Sequence, residues 1–256
     1  MSDTATVRVR LDAPIARVTL ARPEARNALN LAMCRELREA FERIEKSDGI
    51  QTVLLDAEGP VFCAGADLKE RTDKDEQWVR ERRKAAFAAY DAIARCPQPV
   101  VAVLQGPVVG SGGEIAMSCD FAIASSAVNF RFPEPQWGTV GATQRLQRVI
   151  GKRRAKELLF TGRIIPIEEA YALGLVARVT TPEELPKLAE EIAQTIVAAP
   201  SLAMRLTKQA VDLGEETDLA GGLKIEFEAI ERCLADKDWK KGIERFSGAI
   251  GRKVQS

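Results

Sequence analysis

Two glutamates and two small-residue turns are the places where this sequence could do chemistry. Glu114 stands in Gly106-Pro107-Val108-Val109-Gly110-Ser111-Gly112-Gly113-Glu114-Ile115-Ala116-Met117, where the apolar run from Pro99 to Leu104 leads into glycines and then into a short apolar helix over about 112–119. Glycine lets a ligand approach the backbone closely. The first N–H groups of a helix have no intrahelical partner, so they can face a negative charge. A carboxylate on the first turn adds an acid or base beside those donors. The same glycines suit a tight strand-to-helix turn that serves packing alone, and from this stretch the two readings stand level. A second turn of small residues, Ala64-Gly65-Ala66-Asp67-Leu68-Lys69, follows Val61-Phe62-Cys63 and offers another backbone donor far away in sequence. Glu134 lies between Pro133 and Pro135, which hold its backbone stiff. Glu114 and Glu134 could meet across one cleft, although a loop glutamate is by default solvated.

The chain has no histidine among its 256 residues. That excludes Ser-His-Asp and Cys-His catalysis, histidine-ligated metals and every histidine base, so proton transfer near neutral pH falls to carboxylate, Lys, Tyr or Cys. Five cysteines, Cys34, Cys63, Cys96, Cys119 and Cys233, are an odd number without CxxC spacing, which argues against a zinc site or a disulfide framework. No metal or redox cofactor is expected. Lys plus Arg and Asp plus Glu both number 37, so the formal net charge is zero and no basic field points to nucleic acid or a membrane surface. The apolar runs are too short to span a bilayer, the N-terminus carries no apolar h-region, and Val254-Gln255-Ser256 is not a peroxisomal address. The expected location is the cytoplasm, or a matrix if a presequence has been trimmed.

The elements that must position these groups follow from periodicity. Val7–Leu11 and Ile15–Leu20 read as a hairpin around Asp12-Ala13-Pro14. Asn30 suits an N-cap for a helix to about Lys46, with Met33, Leu37, Phe41 and Ile44 on one face. Before it, Arg22 and Arg26 read chiefly as solvated charge. Thr52–Ala57 is a buried strand and Val61-Phe62-Cys63 a second short one. Residues 74–95 form a charged helix whose Arg/Lys run at 80–84 reads as a solvated face. Further strands are expected at Phe121–Ala124 and Val128–Phe132. Helices are expected before Gly151, over Lys152–Thr161 and over Ile167–Leu173. From Pro182 the pattern is helical, with breaks near Pro200, Gly214 and Gly221-Gly222. This divides the chain into an α/β part over 1–195 and a helical part over 196–256 that is too small to bury a core alone.

Seven stretches, in order, resemble the enoyl-CoA hydratase/isomerase (crotonase) superfamily over nearly the whole chain: Arg22-Pro23-Glu24 through Asn27-Ala28-Leu29, Phe62 through Lys69, Gly106 through Asp120, Phe132-Pro133-Glu134, Thr143-Gln144-Arg145-Leu146, Thr161-Gly162-Arg163 and Ala170 through Val176. The resemblance implies an α/β spiral of ββα repeats with a C-terminal helical trimerisation region, and a homotrimer or dimer of trimers. It implies acyl-CoA thioesters as substrates, with coenzyme A as part of the substrate and no separate cofactor. It puts the two oxyanion N–H donors on Ala66 and Ser111, the latter where hydratases usually have glycine. It puts Arg26, Ala28, Ala64, Ala66, Asp67, Leu68 and Gly110 along the CoA thioester, with Asp67 fixing its loop rather than doing chemistry. Both glutamates of typical hydratases match, at Glu114 and Glu134, whereas single-base isomerases commonly keep only the second.

The implied reaction is reversible syn addition of water to a 2-enoyl-CoA, giving a 3-hydroxyacyl-CoA. Glu134 is assigned as proton donor to C2 and Glu114 as activator of water. Two nearby carboxylates in an apolar pocket should titrate together, one of them raised. Alternatives are a Δ3-Δ2 isomerase, a hydratase of cyclic or carnitinyl acyl-CoA, and an RNA-associated member, which the neutral charge disfavours. Two departures stand out. The loop from Gly138 to Thr143 is about two residues shorter than in typical hydratases. Near the C-terminus, Trp239 through Phe246 resembles the family's last helix, but Gly248-Ala249-Ile250 replaces a basic run that contacts CoA phosphates; Arg252 or Lys253 would have to substitute.

Overall fold

The structure, a computed structural model, describes residues 5–236, 239–240 and 242–243. The chain opens with the antiparallel hairpin β1 (Val7–Asp12) and β2 (Ile15–Leu20). Helix α1 (Leu31–Glu45) begins where Asn30 accepts the Met33 N–H at 2.8 Å, and it buries Met33, Leu37, Phe41 and Ile44. Strand β3 (Thr52–Ala57) lies parallel to β2, and α2 (Glu76–Ala94) follows, capped by Asp75. Then come β4 (Val100–Leu104), β5 (Val108–Val109) and α3 (Ser111–Ser118), followed by β6 (Phe121–Ser125), β7 (Asn129–Arg131), α4 (Thr143–Ile150) and α5 (Lys152–Thr161). Strand β8 (Ile164–Pro166), α6 (Ile167–Ala172), β9 (Arg178–Thr180), α7 (Leu185–Val197), α8 (Ser201–Glu215) and α9 (Leu219–Asp236) complete the described chain.

Six strands form one sheet in the order β1-β2-β3-β4-β6-β9, parallel beyond the first hairpin; β5, β7 and β8 form a second. The chain alternates between them. Strand β4 leads to β5 and then α3, and β6 leads to β7 and then α4. Residues 61–63 do not form the expected strand, because only Cys63 pairs, as a single bridge to Val108. That bridge still puts the end of the β3 turn beside β5, so each ββα unit stacks one step further along a spiral. The all-apolar β4 is fully covered, as a parallel strand between two layers must be. One core cluster fills the spiral, and α7 closes a second against Leu54, Val101, Val103 and Ile123.

The breaks expected near Pro200 and Gly214 are present, the latter between Glu215 and Leu219, but α9 runs on through Gly221-Gly222, where a third was expected. Helical propensity costs of about 1 kcal/mol per glycine are outweighed once a helix packs on a neighbour, here α8. Among the described residues no helix is long and apolar enough to cross a membrane.

Candidate active site

The two small-residue turns are brought together by the spiral. Leu29 N–H donates to Gly65 O at 2.8 Å, Asp67 N–H to Leu29 O at 3.0 Å, Ala64 N–H to Arg26 O at 3.0 Å and Val109 N–H to Cys63 O at 2.9 Å. The backbone of residues 63–67 is thereby pinned between the first loop and β5. Gly65 takes φ +95°, and a Cβ there would stand 3.2 Å from Val109 O and 3.9 Å from Ser111 N, so only glycine lets the two turns close on each other. The N–H groups of Ala66 and Ser111 donate to no other described residue. Ser111 is the first residue of α3, so its free N–H lies at the positive end of that helix. Tyr90, a buried residue of α2, has its pKa pushed up by burial, and the neighbouring Ser111 side chain opposes that rise.

Glu114, on the first turn of α3, is 7% exposed. Its Oε1 accepts the Ala142 N–H at 2.6 Å, and its Oε2 meets Arg145 Nη1 at 3.3 Å. The Arg145 guanidinium in turn lies 5.6 Å from the Tyr90 ring centre. Ala142 has φ +55°, a conformation reached in the short loop before α4, and this aims its N–H at the carboxylate.

Glu134 opens a 3₁₀ turn over Glu134–Trp137 at the end of β7 and is half-buried. Its Oε2 is buried with no hydrogen-bond partner among the described residues. Burial raises its pKa above the ordinary carboxylate value; its own backbone N–H opposes this, the Glu114 charge adds to the rise, and Arg83 opposes it weakly. Gly110, at φ +49°, and Gly141 flank this carboxyl, for a Cβ on either would come within 2.9 Å of its Oε1 or Cγ.

Glu114 and Glu134 line one cavity of ≈ 200 Å³ together with Ala64, Ala66, Leu68, Gly110 and Ser111. Arg26, Ala28 and Asp67 do not line it. The Arg26 and Ala28 carbonyls are taken by Ala64 N–H and the Arg22 guanidinium, and Asp67 pairs with Arg22 at 3.1 Å while accepting the Lys69 N–H. Arg22 is therefore an internal strut, not the solvated charge expected. The Arg/Lys run at 80–84 needs the same correction: Arg82 is 2% exposed, and both it and half-buried Arg83 line the cavity. Arg145, Ala142 and Tyr90 were not singled out by sequence reasoning as site residues. Arg145 carried a signal only as part of Thr143-Gln144-Arg145-Leu146. The basic positions expected near the C-terminus, Arg252 and Lys253, and the run Gly248-Ala249-Ile250 lie outside the described residues.

Comparison with known proteins bears on what such a cavity does. The family model for enoyl-CoA hydratase/isomerase matches residues 10–250. The chain is 41% identical to YngF of Bacillus subtilis over 91% of each protein, and 37% identical to a short-chain-enoyl-CoA hydratase of Clostridium acetobutylicum over 91% of this chain and 90% of that protein. The crystal structure of an enoyl-CoA hydratase from Bacillus anthracis superposes with a TM-score of 0.92 at 34% identity, covering 95% of this chain and 96% of that one.

Proposed function

The chain belongs to the enoyl-CoA hydratase/isomerase family, and within it we propose that this protein is a hydro-lyase that adds water reversibly across the double bond of a 2-enoyl-CoA. The observation that carries this reading is the meeting of two glutamates with two unengaged N–H donors at one cavity. The thioester oxygen accepts from Ala66 and Ser111 N–H. As hydroxide adds at C3, charge moves onto that oxygen, where preorganised donors are worth most; losing one costs about 100–1000-fold in rate. Glu114, held by Ala142 N–H and Arg145, takes the proton from water. Glu134, whose neutral form burial favours, gives its proton to C2. The proton left on Glu114 returns to Glu134 through the next water, so the pair is restored without any histidine. Keeping both glutamates favours hydration over single-base isomerisation.

The test follows the loss of enoyl-thioester absorbance with crotonyl-CoA in wild type, Glu114→Gln and Glu134→Gln. Rapid loss in wild type with a fall of at least about 100-fold in each variant is expected. No loss with crotonyl-CoA or with glutaconyl-CoA, from a folded wild type that binds CoA thioesters, would overturn the reading.

A homotrimer, or a dimer of trimers, belongs to the same proposal, supported by the apolar face that α8 and α9 leave exposed. A cytoplasmic location is supported by five free cysteines, four of them buried.

A further inference from the structure

Four arginines line the cavity that holds Glu114 and Glu134: Arg131 on β7, whose Nε donates to Gly162 O at 2.7 Å, and a cluster of Arg71, just before α2, with Arg82 and Arg83 on it. None makes an ion pair with another described residue. Arg82 donates through Nη2 to Leu29 O, but its Nε has no partner although the residue is 2% exposed. Arg71 Nε is also buried and unpartnered, and its side chain donates to no described residue. Arg83 reaches across the cavity mouth to Thr139 Oγ1 and Val140 O, tying α2 to the loop before α4. The cluster opposes itself: burial lowers the pKa of Arg71, and the charges of Arg82 and Arg83 lower it further.

Buried charge without a partner is costly, and removing the anion from a buried pair is costlier than lacking the pair. The carboxylates at hand offset that charge only in part: the Glu70 charge works against the lowering at Arg71 but forms no ion pair with it among the described residues. Both oxygens of Glu70 accept the Leu31 N–H at 2.9 Å. Glu114 is engaged by Ala142 and Arg145, and burial holds Glu134 toward its neutral form. An anion brought by the ligand would complete the balance. A CoA thioester offers two sources, its phosphates and its acyl group. The pantetheine arm keeps the phosphates many bonds from the thioester, so a CoA thioester seated at Ala66 and Ser111 brings its acyl group, rather than its phosphates, into the cavity that the arginines line. A 2%-exposed Arg82 also suits a compact monoanion inside the protein better than a diphosphate at its surface.

We propose that the enoyl-CoA accepted here carries a carboxylate on the far end of its acyl group, held by Arg71, Arg82 and Arg83. This rests on the acyl-CoA reading of the cavity. The guanidinium fork matches a carboxylate with paired, charge-assisted hydrogen bonds. The carboxylate takes no part in bond making; it fixes the tail so that C2 and C3 face the two glutamates.

Calorimetric titration with glutaryl-CoA, with its apolar isostere 5-methylhexanoyl-CoA and with free CoA tests this in wild type, Arg71→Gln, Arg83→Gln and Arg83→Lys. Wild type should bind glutaryl-CoA at least about tenfold tighter than the isostere. That ratio should fall toward one in both glutamine variants and recover in part with lysine. Equal affinities in wild type overturn the proposal, as does a preference that survives in both glutamine variants. A parallel loss of free-CoA affinity overturns it too, because it assigns the arginines to the phosphates. Crotonyl-CoA hydration is read separately. Glutaconyl-CoA, a 2-enoyl-CoA with a distal carboxylate, is run beside it; failure with both removes the hydratase reading, whereas the calorimetric ratio decides the ligand class either way.

Discussion

Glu114 and Glu134 are the same residue type in one cavity, and their neighbours make them different acids. Glu114 faces a cation and a backbone donor, while Glu134 keeps one buried oxygen with nothing to accept from. The raised pKa of Glu134 has a definite sign in both kinetics and stability. As the proton donor for hydration it works protonated, so kcat/KM for hydration should fall as pH rises through its pKa, above the ordinary carboxylate range, and Glu134→Gln should erase that limb. The folded chain holds this proton more tightly than the unfolded chain does. Stability should therefore decline as pH rises from the ordinary glutamate value through the raised one, and the glutamine variant should lose that slope in pH-dependent unfolding. Arg145 is a positioning residue: it holds Glu114 and rests on the Tyr90 ring. Arg145→Gln should lower kcat by up to about 100-fold with little change in KM, and Arg145→Lys should restore part of it; a loss in KM alone would contradict the role.

At the scale of elements, the site depends on loops that no periodicity describes. Asn27, wholly buried at φ +53°, accepts the Arg22 N–H at 2.8 Å and donates to Glu58 O and Val61 O, each at 2.8 Å. It clamps the loop before α1 to the chain leading into Ala64–Ala66. Asn27→Ala would orphan those three groups and should cost about 1–3 kcal/mol each in the limit, and less with water entering, read as a lowered unfolding midpoint. The helices and paired strands were legible because their apolar spacing is local: Met33, Leu37, Phe41 and Ile44 announce the face of α1, and the all-apolar β4 announces a covered strand. Glu114 and Glu134 were legible as candidates from residue type beside glycine and proline. What was hidden is set by tertiary contact. Arg82 looks like its neighbours Arg80 and Lys84 in sequence, yet the turn of α2 puts it against Leu29. Val61-Phe62-Cys63 has strand composition but finds a single bridge, because β5 beside it is only two residues long.

At the scale of the molecule, the cavity is built within one chain, but α8 and α9 are not finished by it. They pack on each other and are tied to the core through Lys208 Nζ, 3.0 Å from Asp120 Oδ2, an oxygen that also accepts the Val100 N–H at 2.6 Å. Beyond that tie, Leu219, Leu223, Phe227, Ile230 and Leu234 recur at helical spacing on α9, and each is at least 47% exposed. A contiguous apolar row of this kind on a folded domain marks a surface meant for protein contact. In the proposed trimer or dimer of trimers this row is what a neighbouring copy covers. Leu223→Arg with Phe227→Arg would set two cations in that contact, where burying unpaired charge is prohibitive. Light scattering should then give a mass near the single chain's 28.0 kDa for the variant and a multiple of it for wild type. A monomeric wild type would leave the row to some other partner. A variant that stays assembled would place the contact elsewhere on the chain. Because Glu114, Glu134, Ala66 and Ser111 all belong to the spiral and none to α8 or α9, dissociation should act on crotonyl-CoA turnover only through the stability of the fold, so lost activity should return as the assay temperature is lowered.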